Sequence, residues 1–142
     1  MSNFQEALEQ YAAAQHILHK TYPAIDDEKL LLGVISNLLK SIEYTMAEVL
    51  EQNNHPVQDS FEAKFQLFRN HIPQNFVNLI NDLQEIKKFQ KTSSVDFRRQ
   101  GKFVMCGENY NLKYLQAKDV QHYLEQVKDL LDHSLGIKNR KA

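Results

Sequence analysis

The sequence predicts an all-α fold: a single-domain bundle of about five helices, with one small β-hairpin near residues 102–115. Three observations carry the prediction. Residues 28–52, EKLLLGVISNLLKSIEYTMAEVLEQ, hold 13 apolar residues in 25. Glycine and proline together number seven in 142 residues, too few turn formers for an all-β chain. Phe61, Phe65, Phe68 and Ile72 recur at helical spacing.

The stretch 28–52 is the centre of the predicted bundle. At about 100° per residue, Leu31, Val34, Ile35, Leu38, Ile42, Met46 and Val49 fill one broad face. Leu30, Leu32, Leu39 and Leu50 extend it on both flanks. A surface helix carries an apolar stripe of roughly 100°. A helix apolar over about half its circumference must touch several neighbours.

The other elements follow in order. A first helix is expected over 4–20, with Asn3 and Glu6 at the spacing of a capping box. Its apolar stripe is Phe4, Leu8, Tyr11, Leu18 and Tyr22, and Ala12, Ala13 and Ala14 permit close helix approach. Pro23 is expected to end it, because a residue before proline is pushed out of the α region. Asp26 is the expected N-cap of the central helix, with Ile25 and Leu30 as a hydrophobic staple. Asn53-Asn54-His55-Pro56 closes that helix, and Asp59 and Glu62 open a short third one. Pro73 separates it from a fourth over 75–91, with Phe76, Leu79, Ile80, Leu83 and Ile86 inward.

Thr92-Ser93-Ser94 breaks the chain again, and Ser94, Phe97 and the following arginines read as one helical turn. The hairpin consists of two apolar runs, 103–106 and 112–115, flanking a Gly-Glu-Asn-Tyr loop. A lone hairpin is marginal, so it must pack on the helices. Asp119 is the expected cap of a final helix with the stripe Val120, Tyr123, Leu124, Val127, Leu130, Leu131 and Leu135, closed by Gly136. Residues 1–136 therefore read as one domain and 137–142 as a short basic tail.

The longest apolar run, 30–35, is six residues counting Gly33, against the ~20 that span a bilayer. The N-terminus lacks the basic and apolar regions of a signal peptide. Cys106 is the one cysteine, so no internal disulfide and no multi-cysteine zinc site is expected. These features predict a cytoplasmic protein with no membrane partner.

Net charge is −1, but residues 1–62 carry three lysines against ten acids, while 63–142 carry 14 basic residues against eight acids. The imbalance peaks in 87–102, where Lys87, Lys88, Lys91, Arg98, Arg99 and Lys102 face only Asp96. Phe89, Phe97 and Phe103 are interleaved with these cations. Cations neutralise phosphates and aromatics stack on bases, which makes this segment the candidate nucleic-acid contact. The competing reading turns the aromatics into the core and leaves the cations as a solvated face, in keeping with the near-neutral total.

Catalytic and metal chemistry find less support. A di-iron bundle needs Glu-x-x-His motifs, and the nearest spacings are His16-x-x-His19, Asp119-x-x-His122 and Asp129-x-x-x-His133. A HEPN-type ribonuclease needs an arginine followed four to six residues later by a histidine on one helix; no arginine here is so placed, since Arg69 and His71 are too close. Cys106 lies between Met105 and Gly107 with no histidine nearby in sequence, and reads as a structural cysteine. No phosphate loop, nucleotide fingerprint or Ser/His/Asp constellation is visible.

Thr21-Tyr22-Pro23 leading into Lys29-Leu30-Leu31-Leu32, then Phe61-Glu62-Ala63-Lys64-Phe65, Phe97, Lys102-Phe103-Val104 and Cys106 resemble a family of small archaeal helical proteins over most of the chain. The resemblance implies an archaeal, cytoplasmic setting and assigns no activity. The expectation is thus a non-enzymatic protein-interaction module, bound to a protein partner or to itself, with no catalytic residue, metal or cofactor. Nucleic-acid binding through 87–102 is the alternative. A HEPN-like or metal-dependent enzyme without a recognisable motif is the second.

Overall fold

The computed structural model describes residues 2–136; the expected tail 137–142 lies outside them. Helix α1 (Asn3–His16) begins at Ser2, whose hydroxyl accepts from the Gln5 N–H while the Gln5 side chain reaches back to the Ser2 N–H. The capping box is real but sits one residue earlier than Asn3 and Glu6. A serine oxygen reaches the third amide of a helix well.

The helix does not stop at Pro23. It passes through a π-helical turn, Ile17–Thr21, into α2 (Tyr22–Ile25). The Tyr22 N–H bonds the Ile17 carbonyl, five residues back. The wider turn relieves the crowding that a proline ring imposes on the preceding turn of a helix. Chain reversal comes at Asp26, which is left-handed with φ 57° and whose N–H bonds the Tyr22 carbonyl. Asp26 therefore ends one helix rather than starting the next. Ile25 is exposed and forms no staple. Lys29 stands at the N-cap with no side-chain cap, and Asp27 steadies the turn before it, its Oδ1 accepting from the Lys29 N–H at 3.0 Å.

Helix α3 (Leu30–Gln52) follows. Leu31, Leu32, Val34, Ile35, Leu38, Ile42, Met46, Val49 and Leu50 are buried, while Leu30 and Leu39 lie half-buried at the flanks. It packs against α1, α4 (Phe61–Phe68), α5 (Gln74–Thr92) and α6 (Ala117–Leu135). Its contact with α1 is the most extensive. Small residues permit this: Ala7 and Ala14 are fully buried, and the Ser41 hydroxyl donates to the Ala7 carbonyl across the interface at 2.7 Å. Ala12, one of the three expected to allow the approach, is exposed.

Ser60 rather than Asp59 caps α4, accepting from the Ala63 N–H at 3.0 Å. Phe65 and Phe68 are buried, with Phe61 and Ile72 packed at the edge of the core. In α5, Leu79, Ile80, Leu83 and Ile86 are buried as expected, joined by Val77. Helix α6 starts at Ala117 with no side-chain cap, two residues before Asp119, which sits in its first turn. Gly136 closes it in the left-handed region at φ 66°.

The principal correction concerns the strands. Helix accounts for 73% of the described residues, and the remainder includes a three-stranded antiparallel sheet. "All-α" overstates the fold, because residues 95–99 form a strand and not a helical turn. Strand β1 (Val95–Arg99) pairs with β2 (Lys102–Cys106), which pairs with β3 (Leu112–Gln116). The turn between β1 and β2 is Gln100-Gly101, with φ of 51° and 79°. Two successive positive φ values match the right-handed twist of the strands they join.

Two measurements test this packing. Leu38 is fully buried at the middle of the α3 face. Leu38→Ala is expected to destabilise the domain by roughly 2–5 kcal/mol; a denaturation midpoint equal to wild type would refute its central placement. The Tyr11 hydroxyl donates to the Leu124 carbonyl at 3.2 Å. Burial first, then the carboxylates of Asp132, Asp129 and Glu125, push its pKa from 10.0 up to about 12. A raised folded-state pKa means the proton is held more tightly in the folded chain. The associated stability is complete below pH 10 and is lost as pH rises toward 12. Tyr22 and Tyr123 are shifted in the same direction by burial. Tyr11→Phe should lose about 0.5–1.5 kcal/mol at neutral pH and show a shallower alkaline decline than wild type in chemical denaturation.

Candidate functional site

The sheet has two faces of opposite character. Alternation places Phe103, Met105 and Leu115 on the inner face, where all three join the helical core. Lys113 shares that face and approaches the Phe89 ring of α5, 6.0 Å from its centroid. Phe89 also lies against Gly107, immediately after β2: a Cβ at position 107 would stand 2.9 Å from the ring. This glycine lets the sheet close onto the end of α5.

The outer face carries Val95, Phe97 and Arg99 of β1, Lys102, Val104 and Cys106 of β2, and Leu112, Tyr114 and Gln116 of β3. Val104 is buried between its neighbours, but Val95, Phe97, Leu112 and Tyr114 are 56, 42, 62 and 50% exposed. Phe97, Val104 and Tyr114 stand in one row across the three strands. A cavity of about 290 Å³ opens beside them, lined by Phe97, Arg99, Lys102, Val104, Leu112 and Tyr114. No helix of the described residues covers this face, so large apolar side chains are gathered on one open surface.

The six basic residues of the candidate segment do not form one set. Lys87 is half-buried, and its ammonium donates to the Ser36 hydroxyl of α3 at 2.9 Å. Burial, with Lys91 and Lys40 nearby, lowers its pKa. It braces α5 against α3. Lys88 and Lys91 are exposed on α5. Arg98 belongs to the sheet face opposite Arg99, and pairs with Asp27 at 3.4 Å between exposed groups. Only Arg99 and Lys102 share the outer face, directly opposite each other across β1 and β2. Lys102 Nζ lies 4.7 Å from the Tyr114 ring centroid. Of the three interleaved aromatics, Phe103 is in the core, Phe89 is half-buried and Phe97 faces out.

Among the described residues, no three His, Cys, Asp or Glu side chains come together to hold a metal ion. His16 and His122 are exposed, and His19 bonds Gln121 through Nε2 at 2.6 Å. Two juxtapositions were not legible in the sequence. His55 and His71 meet with Nε2 atoms 3.2 Å apart. Asp82 of α5 joins Asp119 and His122 of α6 around a shallow cavity of about 370 Å³. The first joins the loop after α3 to the 3-10 turn Arg69–His71 after α4, and the second comes from the packing of α5 on α6. Cys106 is half-buried on the outer sheet face.

No family model, curated protein or solved structure matches the chain. No helix of the described residues is long and apolar enough to cross a membrane.

The contact between Phe89 and Gly107 gives the site its own test. Gly107→Ala should destabilise by roughly 1–3 kcal/mol, as overpacking does, while Gly101→Ala meets no atom within 4 Å and acts only through its positive φ. An unchanged denaturation midpoint for Gly107→Ala would show that the ring is not pinned there.

Proposed function

We propose that the protein is a non-enzymatic interaction module that docks a protein partner on the outer face of its sheet. The observation that carries this reading is the open row of Phe97 and Tyr114, with Val95 and Leu112 beside it, on a face that no helix of the described residues covers. Burying such side chains on a partner removes large apolar surface from water, at about 25 cal/mol per Å². Aromatic side chains are enriched among the residues that dominate binding energy. The solitary, half-buried Cys106 and the near-neutral charge fit a cytoplasmic setting, and the likeness to small archaeal helical proteins belongs to the same proposal without adding an activity.

A second reading takes its support from Arg99 and Lys102. They flank Phe97 and Tyr114, so one end of the face combines stacking surfaces with cations, the two parts of a single-stranded RNA contact. The protein reading is preferred because Lys87 and Arg98 are turned to other partners.

The experiment separates the two. The full chain is immobilised, and bound material is compared with that on a Phe97→Ser, Tyr114→Ser double variant. Both residues are at least two-fifths exposed, so the variant should stay folded. Wild type is expected to retain a reproducible protein set that resists nuclease and is lost from the variant. Identical retention by both chains would sink the reading. In parallel, single-stranded RNA titrated at ~0.15 M salt should give a flat curve. Submicromolar affinity that disappears when Arg98, Arg99 and Lys102 are changed to Glu would transfer the site to RNA.

A further inference from the structure

Strand β1 lies at the edge of the sheet, in the order β1-β2-β3. All five of its residues are exposed, and among the described residues β2 is the one strand paired with it. Folded proteins blunt such edges with lysine, proline, inward charges or a covering element. The opposite edge strand, β3, carries Lys113 and runs straight into α6. β1 has neither lysine nor proline; it does carry inner-face charges, but these, Asp96 and Arg98, are of opposite sign two residues apart and so do not repel a reversed copy of the strand. That spacing makes the strand complementary to its own reverse.

We propose that a second copy of this chain pairs with β1 antiparallel about a two-fold axis at Phe97, joining two three-stranded sheets into one of six. The backbone has the required parity. The two-residue turn at Gln100-Gly101 is closed by the pair Arg99 and Lys102, and hydrogen-bonded pairs then alternate along the ladder. Arg99, Phe97 and Val95 direct their amides and carbonyls to β2. The bond from the Ser94 N–H to the Cys106 carbonyl, at 3.0 Å, fits an added residue at the far end of that ladder. Asp96 and Arg98 are left with N–H and C=O groups directed to the open edge.

Charge then selects the register. Asp96 opposite the partner's Asp96, or Arg98 opposite the partner's Arg98, sets like charges directly against each other, which is destabilising. The register centred on Phe97 instead sets Asp96 opposite the partner's Arg98 and Arg98 opposite the partner's Asp96. Both are hydrogen-bonded pairs, so four backbone bonds form. Phe97 meets the partner's Phe97 at the closer, non-hydrogen-bonded position, where aromatic pairs contribute most. Asp27 already approaches Arg98, and a guanidinium with five donors serves both carboxylates. This pairing shares Phe97 with the docking face but takes its bonds from the strand edge and its register from the inner-face charges, so it goes beyond the docking reading and is tested through Asp96 and Arg98, which that reading does not use.

The test is a charge swap read by sedimentation velocity over a concentration series of the full chain. Wild type is expected to shift toward twice its monomer mass of 16.6 kDa as concentration rises. Asp96→Arg and Arg98→Asp should each remain monomeric, since each sets like charges opposite one another at both pairs. Mixed in equal amounts, the two variants should dimerise again, because every pair then joins an arginine to an aspartate. Both positions are exposed, and circular dichroism checks that each variant is folded. The proposal is overturned if wild type stays monomeric at hundreds of micromolar. It is equally overturned if either variant alone dimerises as wild type does, or if the mixture stays monomeric. Retention of the docked protein set by Asp96→Arg, measured on the same preparations, reads the outer face independently of the dimer.

Discussion

The rest of the structure depends on the width of the apolar surface on α3. A helix with a narrow stripe is satisfied by one neighbour, but α3 buries side chains from Leu31 to Leu50 around much of its circumference. Water is excluded from such a surface only if several elements close around it. Helices α1, α4, α5 and α6 do so. The closeness of α1 follows from residue size, because Ala7 and Ala14 present no bulk and Ser41 satisfies its buried hydroxyl on the Ala7 carbonyl. A larger residue at either alanine would hold the helices apart and leave that hydroxyl without its partner, a costly state in a dry interface.

The sheet is subordinate to this core. It contributes Phe103, Met105 and Leu115 to the buried cluster and is held to α5 through Phe89 and Gly107. Because strand side chains alternate, burying one face obliges the other to look outward. In a sheet of polar outer positions that would be unremarkable. Here the outward positions include Val95, Phe97, Leu112 and Tyr114, all well exposed. Retaining four large apolar side chains in water forgoes the stability that burying them would give.

The basic segment shows how one run of sequence divides into unrelated roles. Between Lys87 and Lys102 the chain passes from a helix with 3.6-residue periodicity to a strand with period two. Neighbours in sequence therefore point in different directions. Lys87 braces α5 against α3 at Ser36, Arg98 pairs with Asp27, and Arg99 and Lys102 stand on the outer sheet face. A cluster counted along the chain is not a cluster in space once the periodicity changes within it.

The helices were legible because their signal is local and strong. The faces of α3, α5 and α6, the Phe65 and Phe68 contacts and the Gly136 cap all follow from spacing and from intrinsic backbone preference. Pro23 misled because a π turn, a local adjustment with no clear mark in composition, carries the helix past it. β1 was missed because five residues of weak alternation, Val-Asp-Phe-Arg-Arg, resemble a helical turn until β2 supplies the ladder. The sequence by itself determined which stretches must be buried and hence that helices enclose α3. The tertiary structure alone decided which residues share a surface. Phe97 and Tyr114 lie 17 positions apart in the chain and reach one row only through the β1-β2-β3 register, a pairing of backbones that no single segment encodes.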